Sequence, residues 1–132
     1  MPDHVLLVDD DPRLVEALQI RLEALGYVVY TAGNGEEGVD IARRIDPQAI
    51  VLDVSMPGMD GLTVCRVLRA EDQFQATPII VMSAITHQEA HRAALAAGAS
   101  KFMGKPYQAK KLMETIQEAI EVWRANRSPR AA

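Results

Sequence analysis

Apolar positions along the chain follow two alternating periods. Val5-Leu6-Leu7-Val8 is a continuous apolar run closed by Asp9-Asp10-Asp11. From Pro12 the spacing becomes helical: Leu14, Leu18, Leu22 and Leu25 share one stripe, and Gly26 is a stop signal. Tyr27 to Thr31 is β-branched and aromatic and reads as a strand. A second helix is expected from near Asn34 to about Ile45, with Val39, Ala42 and Ile45 inward and Asp46-Pro47 ending it. Ala49-Ile50-Val51-Leu52 is again all apolar and ends at Asp53; a loop from Ser55 to Gly61 follows, then a short helix from Leu62 to Ala70. Pro78 to Met82 predicts a fourth strand ending at Ser83. Thr86-His87-Gln88-Glu89 has capping-box spacing and opens an Ala-rich helix that stops at Gly98. Lys101-Phe102-Met103 predicts a fifth strand, ending at Lys105-Pro106. The last helix starts near Gln108 and carries Leu112, Ile116, Ile120 and Trp123 at near-helical spacing. Asn126 to Ala132 reads as a frayed tail or the start of a linker, which leaves residues 1–125 as one domain.

Strands thus alternate with helices, and the first, third and fourth strands are apolar on both faces. Such strands must be covered on both sides, which implies an α/β fold with a parallel sheet between two helical layers. Right-handed crossovers limit the topology to a few doubly wound orders. Ligands in these folds bind outside the carboxyl ends of the strands, where the strand order reverses.

Composition fits one ordinary globular domain: 132 residues, 48% apolar and 24% charged. No apolar run approaches the roughly eighteen residues of a membrane helix, so no membrane role is expected. The start, Met1-Pro2-Asp3-His4, lacks the basic region of a secretory signal. A lone Cys65 cannot form an internal disulfide; it reads as a packing residue and points to a reducing, cytoplasmic setting. Residues 1–100 hold 7 Lys/Arg against 15 Asp/Glu, and residues 101–132 hold 7 against 3. The acidic body argues against a direct nucleic-acid surface. The basic end reads as a solvated helix face.

The strand ends carry the chemistry. Asp9-Asp10-Asp11, Asp53, Ser83 and Lys105 fall at one edge of a parallel sheet. Crowded carboxylates raise one another's pKa and call for compensation. A hard divalent cation supplies it, and few acids with an open shell suit Mg²⁺, which also takes phosphate oxygens. Lys105 adds a positive charge and Ser83 a hydroxyl. Together these groups suit a phosphoryl group, and an aspartate can itself accept one. Asp53, the lone acid on its strand, is the candidate acceptor; Asp9 and Asp10 are the metal-holding pair, and Asp11 before Pro12 is a helix cap.

Val8-Asp9-Asp10-Asp11-Pro12, Asp53-Val54-Ser55-Met56-Pro57-Gly58-Met59-Asp60-Gly61, Ser83-Ala84 and Lys105-Pro106 closely resemble the receiver domain of two-component response regulators. The resemblance runs from about His4 to Trp123. It implies a flavodoxin-like (βα)5 fold with strand order 2-1-3-4-5. It implies that Asp53 accepts a phosphoryl group from the phosphohistidine of a sensor kinase or phosphotransfer protein. Asp10 would bind Mg²⁺ directly, Asp9 through water, and the Ser55 carbonyl as a third ligand beside Asp53. Ser83 would hydrogen-bond the attached phosphoryl group and Lys105 would pair with it, with a cis Lys105-Pro106 bond. Phe102 stands at the family's switch aromatic, where many relatives have Tyr; it lacks the hydroxyl of a hydrogen-bonded switch. The implied output is the face of the fourth helix, fifth strand and fifth helix, which includes His91, Lys101 and Lys110 and is where relatives dimerise or meet effector proteins. Phosphorylation would shift a two-state equilibrium there. Hydrolysis of the product would be slow and no external substrate is implied.

Three other readings compete. Gly33-Asn34-Gly35-Glu36-Glu37-Gly38 fits G-x-G-x-x-G after a strand. Glu36 and Glu37 would repel a pyrophosphate at the helix start, so a Gly-rich turn capped by Asn34 is the better account. A phosphatase of the haloacid-dehalogenase type needs an aspartate two residues after the nucleophile, and Ser55 stands there. A receiver-like scaffold without phosphorylation is opposed by the complete set of Asp9, Asp10, Asp53, Ser83 and Lys105. His87 and His91, at i and i+4, lack a third metal ligand and read as surface residues. Trp123 reads as core or interface.

Overall fold

The computed structural model describes residues 3–127. Its elements are β1 (His4–Val8), α1 (Pro12–Ala24), β2 (Val28–Ala32), α2 (Gly35–Ile45), β3 (Ala49–Asp53), α3 (Gly61–Arg69), β4 (Ile79–Ser83), α4 (Gln88–Ala96), β5 (Lys101–Gly104) and α5 (Ala109–Arg127). All strand pairings are parallel and the order is β2-β1-β3-β4-β5. The doubly wound order implied by the sequence is the one observed.

Alternation along the central strands separates two cores. Leu6, Val8, Ile50, Leu52, Ile79 and Val81 point to one side, where Val39, Val64, Leu68 and Ala94 cover them. Val5, Leu7, Val51, Ile80 and Met82 point to the other, under Leu18, Leu22, Leu112 and Ile116. Successive side chains of a strand face opposite ways, so an unbroken apolar run fills both layers at once.

Helix starts are fixed locally. Asp11 Oδ1 accepts from the Arg13 amide, Asn34 Oδ1 from Glu37, and Asp60 Oδ1 from Thr63. Gly35 and Gly38 serve packing: a Cβ on Gly35 would come within 2.6 Å of the Met59 carbonyl oxygen, and one on Gly38 within 2.9 Å of Val8. With Asn34 capping a helix that begins on two acids, the glycine motif is a close-packing device rather than a pyrophosphate cradle.

Several sequence expectations shift. Leu25 caps α1 and is exposed, so the stripe ends at Leu22. α4 begins one residue later than the capping-box spacing suggests: His87, not Thr86, is its N-cap. The Thr86 methyl instead packs against Gly104 of β5. A single 3-10 turn at Asp72–Phe74 buries Phe74 completely. α5 includes Asn126 and Arg127; the rest of the expected tail, residues 128–132, lies outside the described residues. Among the described residues no helix is long and apolar enough to cross a membrane.

Candidate functional site

The register of the sheet brings distant residues to one edge. Val8 pairs with Leu52, Asp53 with Met82, and Ser83 with Gly104. The residues that follow these pairs, Asp9, Asp10 and Lys105, therefore emerge together beside Asp53.

Lys105 Nζ lies 3.0 Å from Asp53 Oδ1 and 3.2 Å from Asp9 Oδ2. One carboxylate oxygen from each of Asp9, Asp10 and Asp53 lies within 4.8 Å of the others. Asp9 and Asp53 are buried, with 6% of each side chain exposed, whereas Asp10 opens to solvent. Asp9 is held in place by its own backbone, whose amide donates to Ala32 O, and by the Asp11 amide, which donates to its Oδ1 at 2.9 Å. The Lys105 amide donates to Ser83 O, and the Lys105-Pro106 bond is cis, as the resemblance implied.

Burial pushes the Asp9 carboxyl up; the Asp11 amide opposes this, the Asp53 charge adds to it, and Lys105 offsets part. Burial would lower the Lys105 ammonium, but the hydrogen bond to Asp53 and the charges of Asp9 and Asp53 outweigh it and raise it. Three carboxylates against this ammonium leave a net negative, oxygen-lined cluster open at Asp10. That donor set fits a hard cation such as Mg²⁺. It also makes Asp9 a liability when ionised. A carboxyl raised in the fold gives stability that is full below its unfolded value of 3.8 and is lost as pH rises through the raised folded value. Asp9→Asn is therefore expected to raise Tm at pH 7 in EDTA by a few degrees, since a change of 1 kcal/mol moves Tm by roughly 2–8 °C across small domains. The gain should shrink toward zero below about pH 4. A lower Tm for the variant at pH 7 would show that the Lys105 ion pair outweighs the repulsion.

Other predicted site residues sit around this centre. Ser83 is buried at the end of β4, its Oγ accepting from the Ile85 amide at 3.0 Å, which leaves its proton free to be donated elsewhere. Ser55 is exposed in the loop after β3 and, with Asp60, Ser83 and Ile85, lines an open cleft of about 380 Å³. Phe102, half-buried in β5, pairs with Val81 and stacks on His91 with ring centroids 5.1 Å apart. Tyr107 joins the site although its sequence gives little sign of it. It lines a cleft with Lys105 and Asp11, and burial, then the Asp9 charge, push its hydroxyl up to about 12. Its only signal is an aromatic directly after a strand-end Lys-Pro. His87 and His91 belong to no metal-ligating group among the described residues, and Cys65 is buried in the core.

Residues 5–117 match the family model described as response regulator receiver domain. The chain belongs to this family. Among curated proteins, the receiver is 35% identical over 120 residues to the DNA-binding response regulator MtrA of Mycolicibacterium smegmatis, covering 91% of this chain and 51% of that protein. The chain spans about half the length of the curated relatives it matches. Among solved structures, the receiver superposes on chemotaxis protein CheY4 of Vibrio cholerae with a TM-score of 0.86 at 30% identity, covering 90% of this chain and 99% of that one. It superposes on the receiver domain of sensor histidine kinase PA1611 of Pseudomonas aeruginosa with a TM-score of 0.83 at 30% identity, covering 92% and 99%. That structure carries a magnesium ion coordinated in its active site cleft. A receiver is a signalling switch rather than a conventional enzyme, and this chain carries an acidic cluster of Asp9, Asp10 and Asp53 able to hold a metal ion.

Proposed function

We propose that this receiver takes a phosphoryl group on Asp53 from the phosphohistidine of a sensor kinase or histidine phosphotransfer protein. The observation that carries the reading is the convergence of Asp9, Asp10, Asp53 and Lys105 within hydrogen-bond or metal-ligand reach. In the transfer the N–P bond of the donor breaks and an O–P bond forms at an Asp53 oxygen; the donor imidazole leaves with the bonding pair. Asp10 and Asp9, with Asp53 and the Ser55 carbonyl, are the residues that would hold Mg²⁺. When bound, the ion offsets the charge of the acids and the phosphoryl oxygens. Lys105 exchanges part of its pairing with Asp53 for the phosphoryl oxygens, and the Ser83 hydroxyl donates to them. The group adds about −1.5 to −2 charge and strong acceptors at the end of β3.

Rearrangement of Ser83 and the loop after β4 would then be read at Phe102 and passed to the α4-β5-α5 face, for an effector or a second receiver. The DNA binding in MtrA's name belongs to a protein of which the matched 120 residues make up 51%. For the present chain the acidic body favours protein partners over nucleic acid. Self-dephosphorylation is slow in this reading, as membership of the receiver family implies.

The deciding experiment is intact mass after treatment with a small phosphodonor and Mg²⁺. Wild type should gain one phosphoryl group and Asp53→Asn none. A gain in both proteins would place the acceptor elsewhere. No gain in wild type would favour a phosphorylation-independent scaffold.

A further inference from the structure

Carboxylate or amide oxygens cap the first three helices. α4 differs. Its N-cap is His87, at φ −67° and ψ 167°, and the acceptor is the imidazole Nδ1, 3.1 Å from the Ala90 amide. A ring nitrogen that accepts a hydrogen bond carries no proton, so this bond specifies the neutral imidazole with its hydrogen on Nε2. Protonation turns Nδ1 into a donor facing a donor. It also sets a positive charge at the positive end of the helix dipole. Both changes loosen the first turn, and imidazole is the side chain whose ordinary titration falls between pH 5 and 8.

The turn held by this cap bears on Phe102. The His91 amide donates to His87 O at 3.2 Å, and the His91 ring stacks on Phe102 with 23° between planes. One backbone hydrogen bond thus joins the cap to the residue that backs the ring. The titratable and charged groups on and beside α4 include its own Glu89, His91 and Arg92, Lys101 of the neighbouring β5, and Arg69 of α3, which reaches Gly98 at the far end. Among the described residues neither imidazole forms an ion pair. His87 is exposed, and the nearest carboxylate along the helix is Glu89, which borders the same surface cleft.

We propose that His87 is an acid-sensitive latch. Neutral, it holds the first turn of α4 behind the Phe102 ring; protonated, it releases that turn and with it the His91–Phe102 stack. That this release alters signalling rests on the switch role given to Phe102 above.

The test is an NMR titration of the full chain from about pH 8 to 5.5, spanning imidazole titration, for wild type, His87→Asn and His87→Ala. Asparagine caps helices as well as any residue and does not titrate there. In wild type the Ala90 amide and the Phe102 ring should follow the His87 titration, with Ala90 opening about 5-fold more often at the acid end, the fold-change of a typical cap. In His87→Asn, Ala90 should become insensitive to pH and Phe102 should follow His91 alone. In His87→Ala, Ala90 should be open at every pH. An Ala90 amide that ignores the His87 titration, or one that titrates unchanged in His87→Asn, would overturn the latch. Phosphoryl incorporation from a small phosphodonor forms a second arm. The ratio of wild type to His87→Asn should change at least about 2-fold between the two pH extremes, within the span of a cap's contribution; a constant ratio would sever the latch from signalling. Absence of phosphorylation in every variant would count against Asp53 as acceptor, with the Ala90 and Phe102 titrations still deciding the latch.

Discussion

Arg69→Ala is expected to destabilise the domain by about 3 kcal/mol, through loss of several hydrogen bonds from one charged group. Arg69 is the last residue of α3, and its guanidinium reaches four residues in two connections, the stretch leading into β4 and the link between α4 and β5. Nε donates to Gly98 O at 2.8 Å, Nη1 to Phe74 O at 2.5 Å and Thr77 O at 2.7 Å, and Nη2 to Ser100 Oγ at 3.2 Å. Ser100 Oγ in turn accepts from the Ile79 amide at the start of β4. No carboxylate is among these partners. Burial lowers the Arg69 pKa, with the Cys65 thiol opposing it weakly, yet carbonyl dipoles hold the charge in place. Truncation would strand three carbonyls and detach the α3 end, the 3-10 turn and the α4–β5 connection from one another. Arg69→Lys should lose nearly as much, because an ammonium is a point donor and cannot copy a planar fork. Urea unfolding of the three proteins decides this. A lysine variant within about 0.5 kcal/mol of wild type, the ordinary scatter of surface changes, would show that charge alone suffices and the multi-point arrangement does not matter.

Nothing in the sequence marks Arg69 as different from Arg66, which sits three residues earlier on the same helix and is exposed. Its partners are backbone carbonyls, and carbonyls carry no residue identity that a sequence pattern can show. Phe74 is silent for a related reason: it stands among Asp72, Gln73, Gln75 and Ala76 with no apolar period to place it, yet it is fully buried. Two residues compete for the α4 cap: Thr86 has the favoured chemistry and packs its methyl on Gly104, while the imidazole one residue on accepts from the Ala90 amide. The site was legible for the opposite reason. Asp9, Asp10, Asp53, Ser83 and Lys105 each terminate a strand or lie within two residues of a strand end, so the sheet fixes their meeting point once the strands are parallel. Parallel pairing was itself legible, since strands apolar on both faces have no other stable home. What the sequence could not supply was where Lys105 rests, shared between Asp9 and Asp53, because that depends on distances of a few tenths of an ångström.

The same strand-end geometry makes Gly61→Ala the second large effect. Gly61 opens α3, is buried, and donates its amide to Val54 O at 3.0 Å. A Cβ there would collide with the Asp53 carbonyl oxygen and come within 2.8 Å of the Asp53 carbonyl carbon and 2.9 Å of Val54 Cα. All three are backbone atoms of β3 and its exit, so no side chain can turn aside. Either α3 lifts, exposing Val64, Cys65 and Leu68, or the Asp53 peptide rotates and carries its carboxylate away from Lys105. A loss of about 3 kcal/mol is expected, the upper range for overpacking, because the neighbours are rigid. The two escapes differ in readout. Lifting α3 lowers unfolding free energy while the folded fraction still takes up phosphoryl at the wild-type rate. Rotating the Asp53 peptide slows phosphorylation of the folded fraction itself. Because the collision is centred on the Asp53 carbonyl, the second is expected to dominate: folded Gly61→Ala should be phosphorylated more slowly by up to about 100-fold, the loss that a 1 Å misplacement of a reacting group can produce. Wild-type stability and rate together would mean that α3 can slide along β3 freely, and that the glycine is not what seats the acceptor.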